Sequence, residues 1–497
     1  MHSLMNRLPT LSLLLGVVLA DTCSLVADLT SVQVSLPLTL SYTVEQNEYW
    51  SESCTLLTPS CIIFPRSAQE VAAVVDILRD QDEQFAVKSG GHNPNLYWSS
   101  VSGGPVISTA ELDEVTLDPE TGVLRVGPGN RLQDVATALD GTGWTFVGGR
   151  IGNTGVGGLM LGGGLSYLSA QHGWAASSVL EYEVVLADGS VVTASASSHP
   201  DLYVALKGGG NNFGVVTAYT VQAYRQGSVY GGNLVFQHTD ATAARLLQAV
   251  RDFTEYNDDD RAAVIVTAER AALNAVDTWI LFVFYDGADP PADLFANFTD
   301  AGPFLNTLRV RSYASMINLS NWVVVQASTV DISTETIPIP SHDDGPDFLG
   351  DIHSFWRSTT SSVMSVPGIV ASIAYQPFPK RIAAAARDTG RPDLIDADPD
   401  ADKLILEINY SFLPGPFDYM ADVTEATYTG IRDRAVAAQE QGILPDDVYL
   451  PVFMNYAFFR QDYWDRLKPE SRALAQTVAE NYDPDGLFRD RTGGWKP

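Results

Sequence analysis

Between residues 148 and 164 the chain carries nine glycines, "GGRIGNTGVGGLMLGGG". Glycine carries no Cβ to block the approach of other atoms. Its use lies in backbone conformations with φ > 0 and in letting a backbone come close to a ligand. Two further glycine turns flank it, "KSGGHN" at 88–93 and "GGGNNFG" at 208–214. Amides converging in such turns bind anions, and a diphosphate is the natural occupant. Taken singly, each is most simply a turn; the first is unusual in holding an imidazole, His92. The standard nucleotide motifs fail: there is no G-x-x-x-x-G-K-[ST], and no G-x-G-x-x-G opens a helix with an acidic residue about 20 positions on.

The glycine turns sit in a strand and helix rhythm. "CIIFPRSAQEVAAVVDILRD" predicts a short strand and a helix starting near Ser67, with Val71, Val74, Val75 and Leu78 on one face. "FAVKSGGHN" is a strand entering a turn, and "VLRVGPGNRLQDVATAL" repeats strand, turn and helix. "VLEYEVVLADGSVVTASA" reads as a hairpin about Asp188-Gly189. From 226 the glycine turns stop: "ATAARLLQAVRDFTEY" predicts a helix, and "AVIVTAER", "TWILFVFYDG" and "LILEINYSF" predict strands of a second unit. The acidic "DLIDADPDADK" reads as a solvated loop. "VYLPVFMNY" reads as a strand, followed by a helix after Pro469.

Length suits two or three domains, and 45% apolar with 18% charged residues is globular composition. The formal charge of −30 repels nucleic acid and anionic lipid, so neither a nucleic-acid nor a membrane partner is expected. A soluble acidic surface is the plain reading; a cationic substrate steered by the field is the other. Arg7, the apolar run 8–19 and Val18-Leu19-Ala20 read as a signal peptide over 1–20, hence a secreted protein. Cys23, Cys54 and Cys61 allow one disulfide and one spare thiol. Sequons at Asn297, Asn318 and Asn409 allow N-glycans. The scattered His172, His199, His238, His342 and His353 lack metal spacing, so no metal is expected.

The order "CIIFPRSAQEV", "VKSGGHN", "VGPGNRLQDVATAL", "GGRIGNTGVGGLMLGGGLS", "YEVVLADGSVV", "PDLYVALKGGGNNFGVVT" and "NYA…Q…YDPDGLF…GGW" resembles the vanillyl-alcohol oxidase-like FAD-linked oxidoreductases, in their fungal berberine-bridge-enzyme-like branch. The resemblance runs from about residue 42 to the end. It implies an α+β fold: a PCMH-type FAD-binding domain of two α/β subdomains, and a substrate domain with an antiparallel sheet covered by helices. The implied boundaries are an N-terminal segment 21–57, the FAD domain 58–225, the substrate domain 226–444, and a segment 445–497 returning to the FAD domain. It also implies pairing of Cys23 with Cys61, leaving Cys54 as the spare thiol.

By the same resemblance His92 bonds covalently to the 8α carbon of FAD. Ser89, Gly90, Gly91 and Asn93 line the diphosphate on one side, and Thr154, Gly155, Gly157 and Gly158 on the other. Gly209, Gly214 and Val216 lie along the ribityl chain or flavin edge, and Asn455 is a further cofactor contact. Many relatives carry a second tether, a cysteine just before the Val-Gly-Val-Gly-Gly segment; Ile151-Gly152-Asn153-Thr154 has none, so one covalent bond is expected. Ser177-Ser178 stands where relatives show Asp-Asn, and Phe453-Met454-Asn455-Tyr456 lacks the first tyrosine of their Tyr-x-Asn-Tyr pattern.

The implied activity is a secreted oxidase that moves a hydride from a small alcohol or secondary metabolite to FAD, with O2 as acceptor and hydrogen peroxide as product. Alternatives are an oligosaccharide oxidase, weakened by the missing second tether, a flavoprotein of oxidative cyclisation, and a non-catalytic flavin binder. No partner chain is implied, and a monomer suffices. Such chemistry needs a group to take the proton. Tyr456 is the first candidate, beside Asn455; Gln461, Tyr410 and Glu407 follow. Glu407 and Tyr410, three apart on one strand, face opposite sides, so only one sees the pocket. A glycan on Asn409 would expose that strand.

Overall fold

In the computed structural model residues 21–271, 275–324 and 327–497 are described; the expected signal peptide lies outside the described residues. The apolar alternation of the middle of the chain builds one eight-stranded antiparallel sheet. Its order is Leu305–Asn306, Val229–Gln237, Val276–Tyr285, Ala262–Ala271, Val370–Phe378, Lys403–Phe412 and Thr329–Pro338, with Arg309–Arg311 also on Val229–Gln237. Side chains alternate across it with a period of two. Trp279, Leu281, Val283 and Tyr285 enter a core with the helices Asp240–Tyr256, Gly345–Ser361 and Phe417–Glu440, while Ile280 and Phe282 face a cavity. Trp279 and Trp356 are fully buried under the helices, each worth about 2–3 kcal/mol of apolar transfer.

Two smaller sheets, and a two-stranded pair of Trp144–Thr145 with Tyr224–Arg225, precede it. One is mixed, in the order Gln33–Ser35, Cys61–Phe64, Pro105–Ser108, Ala86–Lys88, with the last three strands parallel. The helix Ala68–Arg79 follows Cys61–Phe64, as the spacing predicts, and the Ser67 hydroxyl accepts from the Glu70 amide at 3.2 Å, a cap worth about 1 kcal/mol. The other sheet is five-stranded and antiparallel, and contains the hairpin Val179–Val185 with Val191–Ser195. A disulfide joins Cys23 to Cys61, and Cys54 is free and buried. Among the described residues no helix is long and apolar enough to cross a membrane.

Two local expectations are corrected. "VYLPVFMNY" forms no strand: it runs extended into a 3-10 turn, Met454–Tyr456. Pro451 has no N–H to give a ladder, and its carbonyl instead accepts from the Thr336 hydroxyl at 2.7 Å. The acidic stretch is not merely solvated, because Leu394, Ile395 and Ala397 are buried. Ile395 packs where any Cβ on Gly163 or Gly208 would sit, so its apolar residues anchor the loop against the glycine turns.

Candidate active site

The first two glycine turns touch backbone to backbone. A Cβ on Gly90 would lie 2.4 Å from the Gly155 nitrogen, and one on Gly155 2.3 Å from the Gly90 nitrogen; only two glycines allow this approach. Polar groups stitch the contact. The Ser89 hydroxyl donates to the Pro128 carbonyl at 2.6 Å and accepts from the Gly157 amide at 3.2 Å. The Arg131 guanidinium donates to the carbonyls of Gly90 and Asn153 at 3.0 and 2.5 Å. Below the turn, buried Lys88 pairs with Glu45 at 2.6 Å.

These turns wall a cavity of about 450 Å³, within the roughly 300–1,000 Å³ of small-molecule sites. His92 faces it, stacked on Trp50 at 4.4 Å. Burial, aided by the Arg131 charge, lowers its pKa to about 3, so the ring is neutral near pH 7 with a lone pair for bonding.

The opposite wall is the open face of the large sheet. Glu407, Asn409 and Ser411 point into the cavity from Lys403–Phe412. At the end of this wall Arg150 donates to the Tyr456 hydroxyl and to the Gln376 side-chain oxygen, both at 2.5 Å, and the Gln376 amide donates to Glu407 at 2.8 Å. Burial raises the Tyr456 pKa to about 12, with Glu407 adding to the rise and Arg150 opposing it. Burial also raises Glu407, while Arg150 and hydrogen bonds from Gln376 and Tyr456 lower it.

Of the residues singled out from sequence, Ser89, Gly90, Gly91, His92, Asn93, Thr154, Gly155, Gly157, Gly158, Gly214, Val216, Asn455 and Tyr456 all line the cavity. Asn455 acts as a clamp: its side chain accepts from the Gly164 amide at 3.0 Å and donates to the Leu159 carbonyl at 3.2 Å. Three residues do not reach the cavity. Tyr410 points to the helical core and bonds Thr360 and Thr427, because strand alternation gives the cavity to Glu407 instead. Gln461 is buried, exchanging hydrogen bonds with the Thr334 backbone and accepting from the Phe458 amide. Gly209 is a packing glycine whose Cβ would strike the Ala205 carbonyl at 2.1 Å. Asn409 lies on the cavity wall beside Ser411, the wrong place for an exposed glycan. Sequence reasoning missed Trp50 and Gln376, which carry no local signal. It also passed over Arg150, the one cation inside the glycine run.

The cavity fits a flavin nucleotide on its own features. A Cβ on Gly158 would meet no protein atom within 4 Å, so that glycine keeps space open for a ligand. Among the described residues the buried Asn212 Oδ1 and Trp495 Nε1 line the cavity and lack hydrogen-bond partners. Residues 59–195 match the FAD binding domain family. An uncharacterized FAD-linked oxidoreductase of Arthroderma benhamiae is 39% identical over 94% of this chain and 92% of its own length. An FAD-dependent monooxygenase of Fusarium proliferatum is 31% identical, covering 88% of this chain and 85% of its own. In structure, the BBE-like 1 protein of Physcomitrella patens superposes with a TM-score of 0.76 at 16% identity, over 95% of this chain and 98% of that one.

The fold and cavity are those of a flavoenzyme built on a PCMH-type FAD-binding domain. The chain belongs to the FAD-linked oxidoreductases of the vanillyl-alcohol oxidase/PCMH superfamily.

Proposed function

We propose that the protein is a secreted oxidase that binds FAD through a single covalent bond at His92 and oxidises a small alcohol or secondary metabolite. The observation that carries this reading is that Arg150, Tyr456 and Glu407 face the same cavity as His92 and are linked through buried Gln376. Bound FAD supplies a two-electron acceptor that O2 returns to its oxidised form with release of hydrogen peroxide. Ser89, Gly90, Gly91, Asn93, Thr154, Gly155, Gly157 and Gly158 would hold its diphosphate, with Gly214 and Val216 farther along.

The chain's own part is to orient the substrate and move one proton. With a pKa near 12, Tyr456 is a neutral phenol at pH 7 and can accept the substrate's hydroxyl proton only while passing on its own. Glu407 takes that proton: its raised pKa moves it toward neutrality, where a carboxylate is a better base. Arg150 holds the phenol oxygen in place and stabilises the charge that develops there. Secretion is supported by the reading of residues 1–20 and by the Cys23–Cys61 disulfide, a bond that persists in oxidising compartments.

The test is a panel of primary alcohols given to the purified holoprotein. The reading expects flavin bleaching without oxygen and one hydrogen peroxide per product with it. Incorporation of labelled oxygen into the product would instead make it a monooxygenase, the name its Fusarium proliferatum relative carries.

A further inference from the structure

The cavity face of the large sheet holds a second carboxylate that the proton route does not use. Glu269 lies on Ala262–Ala271, and its side chain lines the cavity. Strand register fixes its place. Thr267, Ala374 and Glu407 stand side by side on three adjacent strands, and the next inward-facing row is Glu269, Ser372 and Asn409. Two strands over and two residues along put Glu269 about 12 Å from Glu407.

Every other charged group on the cavity wall is satisfied: Glu407 by Gln376, and Arg150 by Tyr456 and Gln376. Glu269 has no ion pair or side-chain hydrogen bond among the described residues. Its neighbour Arg270 points to the other face and donates to the Arg357 carbonyl at 2.7 Å. Between Glu269 and Glu407 the register sets Thr267, Ala374, Ser372 and Asn409, while Ile265, Ile280, Phe282 and the half-exposed Trp322 form an apolar stretch of the same wall on the side away from Glu407. Burial alone raises the Glu269 pKa. An unpaired carboxylate in a desolvating wall is a cost the fold would shed unless a ligand completes it. The formal charge of −30 draws cations toward it.

We propose that Glu269 is a specificity-determining residue that pairs with a protonated amine at the far end of the substrate, about 10 Å from the carbon being oxidised. This rests on the oxidase reading for which carbon reacts, while the binding claim stands alone. Ser372 and Asn409, beside Glu269 in its row, can share the ammonium's remaining protons.

The test uses compounds that cannot be oxidised at a carbinol: 3-(4-methylphenyl)propylamine and its N-acetyl derivative, titrated calorimetrically into the holoprotein. The amine should bind at least about tenfold more tightly than the amide, with the preference shrinking at high salt. Glu269→Gln should abolish the preference, and Glu269→Lys should reverse it in favour of 4-(4-methylphenyl)butanoate. Equal or undetectable binding of amine and amide to the wild type overturns the proposal, as does a preference that survives in Glu269→Gln. If Glu269→Gln does not fold, loss of the wild-type preference in salt, together with the Glu269→Lys reversal, decides it. Because these probes lack the reacting alcohol, failure here leaves the oxidase reading standing. Failure of alcohols to bleach the flavin leaves an observed amine preference standing.

Discussion

The Tyr456 hydroxyl accepts a 2.5 Å hydrogen bond from the Arg150 guanidinium, joining the C-terminal segment to the glycine run across 306 residues. That bond fixes the phenol at the point where the sheet and the glycine turns face each other. Tyr456→Phe keeps the ring and its edge contact with Phe453 but removes the proton relay. The rate of flavin bleaching by a good alcohol substrate should fall by about 10²–10⁴, with flavin content unchanged. A fall of less than tenfold would remove Tyr456 from the proton path.

The pH profile should separate Tyr456 from Glu407. With its pKa near 12, Tyr456 keeps its proton from pH 5 to 9, so it contributes no break there. Glu407 must be ionised to accept a proton, and burial raises its pKa. Bleaching should therefore rise with pH through a break above the usual carboxylate value of about 4.3. Glu407→Gln should remove that break and lower the plateau; a break that persists in the variant would belong to another group.

His92→Ala tests the tether. Wild-type protein precipitated in acid should stay yellow and carry one FAD in its intact mass, and the variant should release its flavin. Stacking on Trp50 leaves the variant a surface on which to bind FAD reversibly. It should therefore still fold and recover colour with added FAD.

Two glycines at the start of the helix Val156–Leu161, Gly155 at its N-cap and Gly158 within it, should behave oppositely. Gly155→Ala drives a Cβ into the Gly90 backbone, which cannot move aside, so loss of soluble protein is expected. At Gly158 a Cβ meets only the cavity. Gly158→Ala should fold with a wild-type melting temperature in the absence of flavin and lose flavin affinity; unchanged affinity would place the cofactor elsewhere.

Much of this arrangement was legible because glycine is informative where nothing else fits. The glycines at 88–93 and 155–158 marked a close backbone approach, and the structure brings Gly90 and Gly155 together on the cavity wall. The strand 403–412 was legible through its period, which correctly set Glu407 and Tyr410 on opposite faces but gave no sign of which face was the cavity. That depends on where three helices pack, a non-local fact. Gln461 looked polar enough to be catalytic, yet its partners are backbone groups brought in from Thr334, 127 residues away. Trp50 and Gln376 sit in unremarkable sequence and gain their roles only from what the fold sets beside them.

Asp331 offers a stability test apart from catalysis. It sits on Thr329–Pro338 with the Thr424 hydroxyl 3.4 Å from its carboxylate. Burial raises its pKa to about 7, only partly offset by Thr424 and Arg460. A carboxyl whose pKa is higher folded than unfolded stabilises the protein fully below about pH 4, and that contribution is lost as pH rises through about 7. The displacement corresponds to at most about 4 kcal/mol, and residual water access reduces it. Asparagine mimics the neutral carboxyl at every pH. Asp331→Asn should therefore match the wild type in urea denaturation at pH 4.5 and exceed it by about 1–3 kcal/mol at pH 8. Equal differences at the two pH values would mean that Asp331 ionises freely in the folded protein, and that the strand it sits on admits water where the packing against Phe417–Glu440 excludes it.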